Sequence, residues 1–330
     1  MTAVSFADVL AARDFIRPYI HRTPMYPYPG LERLLGTQVF VKHENHHQVG
    51  AFKVRGGVNL VGTLPEEQKR KGIIGATRGN HGQSLAFAGK LFGVKVVILV
   101  PFGNNPDKNE AMRLLGVELI EFGRDFDESF ARARELTAQY GYRFVHSANE
   151  PKLIAGVGTY TLEIFEDLSD PEVLIIPVGL GSGLSGACIV AEGLGKKTTL
   201  VGVQAENASS VVKSWRQGHI ITTESADTIA DGLATRIPAE MTLEIMRRRV
   251  DEMVTVSEEE IGEAVRLMFR ATHNLVEPAG ACPLAAALKM RARLKGKKVV
   301  LVQTGANIDW ATLRAIMEGN RPAPEKKEAG

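Results

Sequence analysis

From Gly72 onward the chain alternates short apolar runs with stretches of helical spacing, and this alternation restricts the fold more than any other feature. GIIGA leads into a helix from His81, VVILVP into one from Asp107, and VELIEF into one from Asp127. The order returns in VLIIPV, LVGVQA, EMVTV and VVLVQ, each followed by a Gly-rich turn or a capped helix such as the one after Ser257. Strands that are apolar throughout are covered on both faces, and strands separated by helices pair in parallel. The spacing therefore predicts an α/β protein with mainly parallel sheets. A small domain at residues 71–148 is expected as an insertion in a large one built from 1–70 and 149–321, with a flexible tail at 322–330. Ligands in such folds bind where loops leave the carboxyl ends of strands, so the cleft between the two sheets is the expected site.

Composition narrows the partners. Lys plus Arg number 40 against 38 Asp plus Glu, a net charge of +2, which gives no strong field toward nucleic acid or a membrane surface. A small molecule is the expected partner. Cys188 and Cys282 lie far apart without metal-ligand spacing and read as two buried thiols, not as a disulfide or a zinc site. No apolar run approaches the ~20 residues of a membrane span and the N-terminus lacks a signal-peptide core, so the expected location is the cytoplasm.

Four segments carry candidate chemistry. KHENHHQVGAFKVRGG places Lys53 after Gly50, Ala51 and Phe52, at a helix start just past the strand QVFVKH, where its amine can face a cleft. Alone, such a lysine reads as a solvated surface residue, and the case for chemistry needs partners. PVGLGSGLSGA follows a strand and opens a helix, so the backbone N–H groups of Gly179, Leu180, Gly181, Ser182 and Gly183 suit a phosphate. Dinucleotide sites and tight turns share that pattern, so the loop selects a phosphate and not a cofactor. ATRGNHGQS, with Thr77, Arg78, Gly79, Asn80 and His81, offers amides that suit a carboxylate, although a capped Asn-Gly turn reads the same way. VQTGANID presents the Thr304 hydroxyl at a strand end, followed by Gly305 and Asn307.

In this order the four segments resemble the fold-type II pyridoxal phosphate enzymes (tryptophan synthase β-like), close to threonine and serine dehydratases and serine racemase. The pattern E-N-x(4)-G-[SA]-F-K-x-R-G is met by Glu44, Asn45, Gly50, Ala51, Phe52, Lys53, Arg55 and Gly56, and the resemblance runs to about residue 318. It implies pyridoxal 5′-phosphate as cofactor and two α/β domains with the active site in the cleft between them. Lys53 would be the Schiff-base lysine and the base at Cα, Phe52 would pack beside the ring, and Asn80 would reach the 3′-oxygen. The glycines from 179 to 183 would hold the phosphate, Thr304 would face the pyridine nitrogen, and Glu277, Asp231 and Gly232 would line the far side. Thr77 to His81 would bind the substrate carboxylate.

The implied activity is that of an ammonia-lyase (dehydratase) in amino-acid catabolism. It would convert an L-β-hydroxy amino acid, such as threonine, serine or a phenylserine, to a 2-oxo acid and ammonia, as a homodimer. A neutral hydroxyl at the ring nitrogen weakens the ring as an electron sink and favours elimination over transamination. Racemisation or β-replacement on the same scaffold is one alternative, and a non-catalytic cofactor or amino-acid binding protein is another.

The sequence also departs from that group. Arg78 stands where racemases commonly carry a serine acid-base, and an arginine that stays protonated lowers the expectation of racemisation. Gln204 and Ser210 stand where acidic cation ligands are usual, with only Glu206 nearby, so no metal is expected. His46 and His47 replace an apolar residue and Gln and are expected to pack, and Gln303 replaces an apolar residue. These changes suggest a substrate side chain unlike that of threonine, aryl or otherwise bulky.

Overall fold

The computed structural model describes residues 4–320. The tail expected from residue 322 lies outside the described residues. The strands are β1 (Met25–Pro27), β2 (Gln38–His43), β3 (Ile73–Ala76), β4 (Val96–Val100), β5 (Glu118–Glu121), β6 (Arg143–Phe144), β7 (Val173–Pro177), β8 (Thr199–Ala205), β9 (Glu252–Val256) and β10 (Lys298–Gln303). A six-stranded sheet runs β1-β2-β10-β7-β8-β9, parallel except for β1, which lies antiparallel on β2. A four-stranded sheet runs β5-β4-β3-β6 and is parallel throughout.

The apolar runs explain why helices cover both faces. Along β7 and β10, Val173, Ile175, Val299 and Leu301 enter one core, while Leu174, Ile176, Val300 and Val302 enter the opposite one. The small sheet repeats this: Ile73, Val96 and Ile98 face one cluster, Ile74, Val97 and Leu99 the other. Successive side chains point to opposite faces, so a strand without polar positions demands two cores. Each such Val, Leu or Ile contributes about 1.5–3 kcal/mol on burial.

Helix starts follow side-chain caps. Ser257 accepts from the Glu260 N–H while Glu260 returns a bond to the Ser257 N–H, a reciprocal capping box. The helices expected from Asp107 and Asp127 begin at Pro106 and Phe126, because the caps are the upstream Asn105 and Asp125. The helix expected from His81 begins at Asn80. Two strands carried too little signal to be read: β6 has two residues, and β1 contains Pro27, which a sheet tolerates at its edge.

Strand order positions the site. β10, the last strand in sequence, inserts between β2 and β7, so three strand ends lie side by side. The segment after β2 leads to Lys53, the residue after β10 is Thr304, and the loop after β7 holds Gly179 to Gly183.

Candidate active site

The chain around Lys53 is fixed from both sides. Phe52 N–H donates to the Thr304 carbonyl at 3.0 Å, Ala306 N–H donates to the Gly50 carbonyl at 2.9 Å, and Ala51 bridges to Gly305. Gly50 has φ +65°, in the left-handed region that glycine adopts without strain. Lys53 then opens the helix Lys53–Gly62, and its carbonyl accepts from Ser84 Oγ at 2.7 Å. Its Nζ reaches Ser182 Oγ at 2.8 Å and the Ser147 carbonyl at 3.1 Å. The residue is half-buried because it borders the cavity, yet the loss of water around the amine lowers its pKa to about 8. A lysine of that kind is available as a nucleophile and base near neutrality.

Beneath this helix lies a buried charge network. Arg55 holds Glu44 at 2.7 Å and Glu163 at 2.7 Å, and Lys42 reaches the same Glu163 at 2.6 Å. Thr23 Oγ1 donates to Glu44 at 2.6 Å, and His47 Nε2 lies 3.1 Å from the same carboxylate. His47 therefore serves packing of this network, and His46 stacks on His43 with ring centroids 4.8 Å apart. Cys188 and Cys282 are both free and buried.

The loop after β7 is built for close approach. Gly181 has φ +93° and precedes the helix Ser182–Gly193, whose first turn has no capping side chain. A Cβ at residue 179 would stand 2.6 Å from the Gly232 carbonyl oxygen, and one at 183 would stand 3.2 Å from Phe52. The N–H groups of this turn border the same cavity as Lys53 and suit an anion.

The small sheet supplies the facing wall. Thr77 Oγ1 accepts from the N–H groups of Gly79 and Gly82, at 2.9 and 3.3 Å, so these two amides are spent on shaping the loop. His81 is buried, and burial, Lys53 and His146 hold its pKa well below the usual imidazole value. Its neutral ring therefore brings no charge to a carboxylate. Asn80 Nδ2 donates to Glu277 Oε1 at 2.8 Å. Burial, reinforced by Asp231, pushes the Glu277 carboxyl up to about 7 against the opposing pull of Lys108.

Every residue singled out for the site in the sequence lines one cavity, from Phe52 and Lys53 through Thr77 to His81, Gly179 to Gly183, Gly232, Glu277 and Thr304. Lys108, Phe126 and Ser147 line it too, and no sequence motif pointed to them. Lys108 is buried and pairs with Asp231. Burial opposes its charge, but Asp231 and Glu277 prevail and raise its pKa. These residues follow β4, β5 and β6, so the rule that picked the other loops at strand ends would have found them had it been applied to every strand. Arg78, Lys108, Phe126, Asp231 and Ala234 also border an outer chamber of about 580 Å³, lined further by Phe102, Ile229 and Ile308.

Relatives share both sequence and architecture. L-threonine ammonia-lyase of Thermotoga maritima is 37% identical over 306 residues, 93% of this chain and 76% of that one. L-threo-3-hydroxyaspartate ammonia-lyase of Saccharomyces cerevisiae is 32% identical over 324 residues, 98% of this chain and 99% of the relative. The structure of maize serine racemase superposes with a TM-score of 0.90 at 29% identity, covering 96% of this chain and 97% of the other. The model of the family described as "Pyridoxal-phosphate dependent enzyme" matches residues 16–305. With its lysine, glycine-rich turn and parallel sheets arranged as above, the chain belongs to the pyridoxal-phosphate dependent enzyme family, in its fold-type II branch.

Proposed function

We propose that the protein is an ammonia-lyase that converts an L-β-hydroxy amino acid to a 2-oxo acid and ammonia. The observation that carries this reading is the Lys53 amine, with its pKa lowered to about 8, 2.8 Å from Ser182 in the glycine-rich turn. The residues fit pyridoxal phosphate: side chains at 179 or 183 would fill the cradle, and the amine lies within reach of an aldehyde whose phosphate sits there. Bound in this cavity, the cofactor supplies the electron sink that stabilises negative charge at Cα. Phe52 would pack beside the ring, Asn80 would reach the 3′-oxygen, Thr304 would face the ring nitrogen, and Glu277 and Gly232 would line the far side. The loop Thr77 to His81 holds the substrate carboxylate, and Lys53 takes the Cα proton, its amine steadied by Ser182 and Ser147. A homodimer in the cytoplasm is part of the same proposal, and light scattering of the purified protein checks the assembly.

Two results test it. A panel of β-hydroxy amino acids, read by 2-oxo acid and ammonia release, should show turnover, and serine should give pyruvate in large excess over D-serine. Absence of 2-oxo acid from every member of the panel would sink the proposal. Arg78 borders both the inner cavity and the outer chamber, so Arg78→Ser should reorder the substrate ranking, with bulky β-substituents affected most. An unchanged ranking would exclude Arg78 from selectivity. Separately, Gly179→Ala drives a methyl against the Gly232 carbonyl. Overpacking of about 1–3 kcal/mol should weaken the cofactor by roughly one to two orders of magnitude in a fluorescence titration.

A further inference from the structure

Asn307, Asn80 and Glu277 form a chain of hydrogen bonds beside the cavity. Asn307 Nδ2 donates to Asn80 Oδ1 at 2.8 Å and also to the Val49 carbonyl at 2.9 Å. Asn80 Nδ2 donates to Glu277 Oε1 at 2.8 Å. The three residues come from separate parts of the chain: the helix start after β3, the residue before the helix Pro278–Lys289, and the segment after β10.

Two glycines make room for these side chains. A Cβ at residue 50 would lie 2.7 Å from Asn307 Oδ1, and one at residue 305 would lie 2.5 Å from Glu277 Oε1. Gly305 does not have a positive φ, so the space taken by Glu277, and not the backbone conformation, accounts for glycine there. Gly50 meets both demands, since its φ is +65°.

This chain of bonds decides which way the Asn80 amide points. An amide turned by half a revolution exchanges its oxygen for its NH₂ at almost no steric cost, so its partners must choose. Asn307 presents an NH₂ and requires an oxygen opposite it. Glu277, 1% exposed, presents a carboxyl oxygen that in its ionised form requires an N–H. A reversed Asn80 would set NH₂ against NH₂ and oxygen against oxygen, with little water nearby to relieve either clash.

We propose that Asn307 is a positioning residue that, together with Glu277, locks the Asn80 amide so that its remaining N–H is offered to the 3′-oxygen of bound pyridoxal phosphate. The inference rests on the reading of the cavity and of Asn80 given above. It goes beyond that reading in assigning the setting of the cofactor's electronics to a residue that need not touch it. An N–H donor favours the deprotonated form of an oxygen, whereas a carbonyl in its place favours the protonated form.

Asn307→Asp keeps the shape and removes both side-chain donors. In the holoenzyme the pH midpoint of the visible absorption change should move upward by about one unit. Cofactor affinity should fall about tenfold. In an Asn80→Ala background the same substitution should leave midpoint and affinity nearly unchanged, because the group through which it acts is gone. A wild-type midpoint in Asn307→Asp, or an equal shift with and without Asn80, would overturn the inference and leave Asn307 as packing beside Gly50. If the aspartate variant does not fold, Asn307→Ala completes the same cycle with the same expectation. A wild-type protein that takes up pyridoxal phosphate with no visible band would overturn the reading of the cavity itself, and this inference with it.

Discussion

Lys53→Ala is expected to lose the visible absorbance of a lysine-linked cofactor and to lower turnover by on the order of 10⁴-fold or more, while the protein stays folded. The effect is large because one amine does two jobs, anchoring the cofactor and moving the Cα proton. No neighbour replaces it. Its two hydrogen-bond partners are the Ser182 hydroxyl and the Ser147 carbonyl, neither of which is a base near neutral pH. Burial, with Lys53 next in importance, lowers His146 to about 4, and its Nδ1 is already engaged by the N–H groups of Ala148 and Asn149. His81 is likewise held neutral by burial. Stability should be unchanged or slightly higher, because the buried amine lowers its own pKa and makes no ion pair among the described residues. Spectra, 2-oxo acid assays and thermal unfolding of the variant check all three statements. Retention of both the band and the turnover would end the assignment of Lys53.

Much of the fold was legible because a parallel sheet writes itself as runs with no polar position. β7 and β4 are buried at every residue, and so VLIIP and VVILV could be little else. The glycine-rich loops were legible for the opposite reason, since an unusual backbone or a close approach leaves glycine as a mark. Lys108 left no such mark. Its neighbours are polar, and only the packing of its stem against Gly79 and its pairing with Asp231 distinguish it from a surface lysine. The hydrogen-bonded chain at Asn307 was equally hidden, because its members lie at residues 80, 277 and 307 and meet only once β10 has been inserted between β2 and β7. The Arg55 network was half visible. The motif that contains Glu44 and Arg55 gives their spacing, but Glu163 and Lys42 enter through tertiary contacts alone.

That network carries the second large prediction: Arg55→Met should cost about 3–5 kcal/mol of folding stability, read as a lower midpoint in urea unfolding. Arg55 and Glu44 are 1% and 0% exposed, and Lys42 is 0% exposed, so none of these three can turn to water. With all four charges present the positive and negative groups balance. Removing the guanidinium leaves Glu163 with Lys42, and Glu44 with only His47 and the Thr23 hydroxyl. An exposed pair such as Lys71 with Glu67 would cost only ~0–1 kcal/mol to lose. The pH dependence has a definite sign. Burial pushes the Glu44 carboxyl up, but Arg55 and His47 outweigh it and hold it well below its ordinary value of 4.5. A depressed carboxylate contributes stability that is present above its unfolded pKa and is lost as pH falls through the folded one. The gap between wild type and Arg55→Met should therefore be widest at neutral pH and above, and should begin to narrow before the pH has fallen to the ordinary 4.5, because without Arg55 burial raises the carboxyls and the variant takes up protons first. Adding Glu44→Gln to Arg55→Met should recover part of the loss, because Glu163 and Lys42 then remain as a neutral pair. Since Arg55 lies two residues beyond Lys53 on the same helix, the single variant should also bind cofactor more weakly than the double one. Equal urea midpoints for the single and double variants would mean that the packing volume of Arg55, and not the charge it neutralises, is what holds the helix in place.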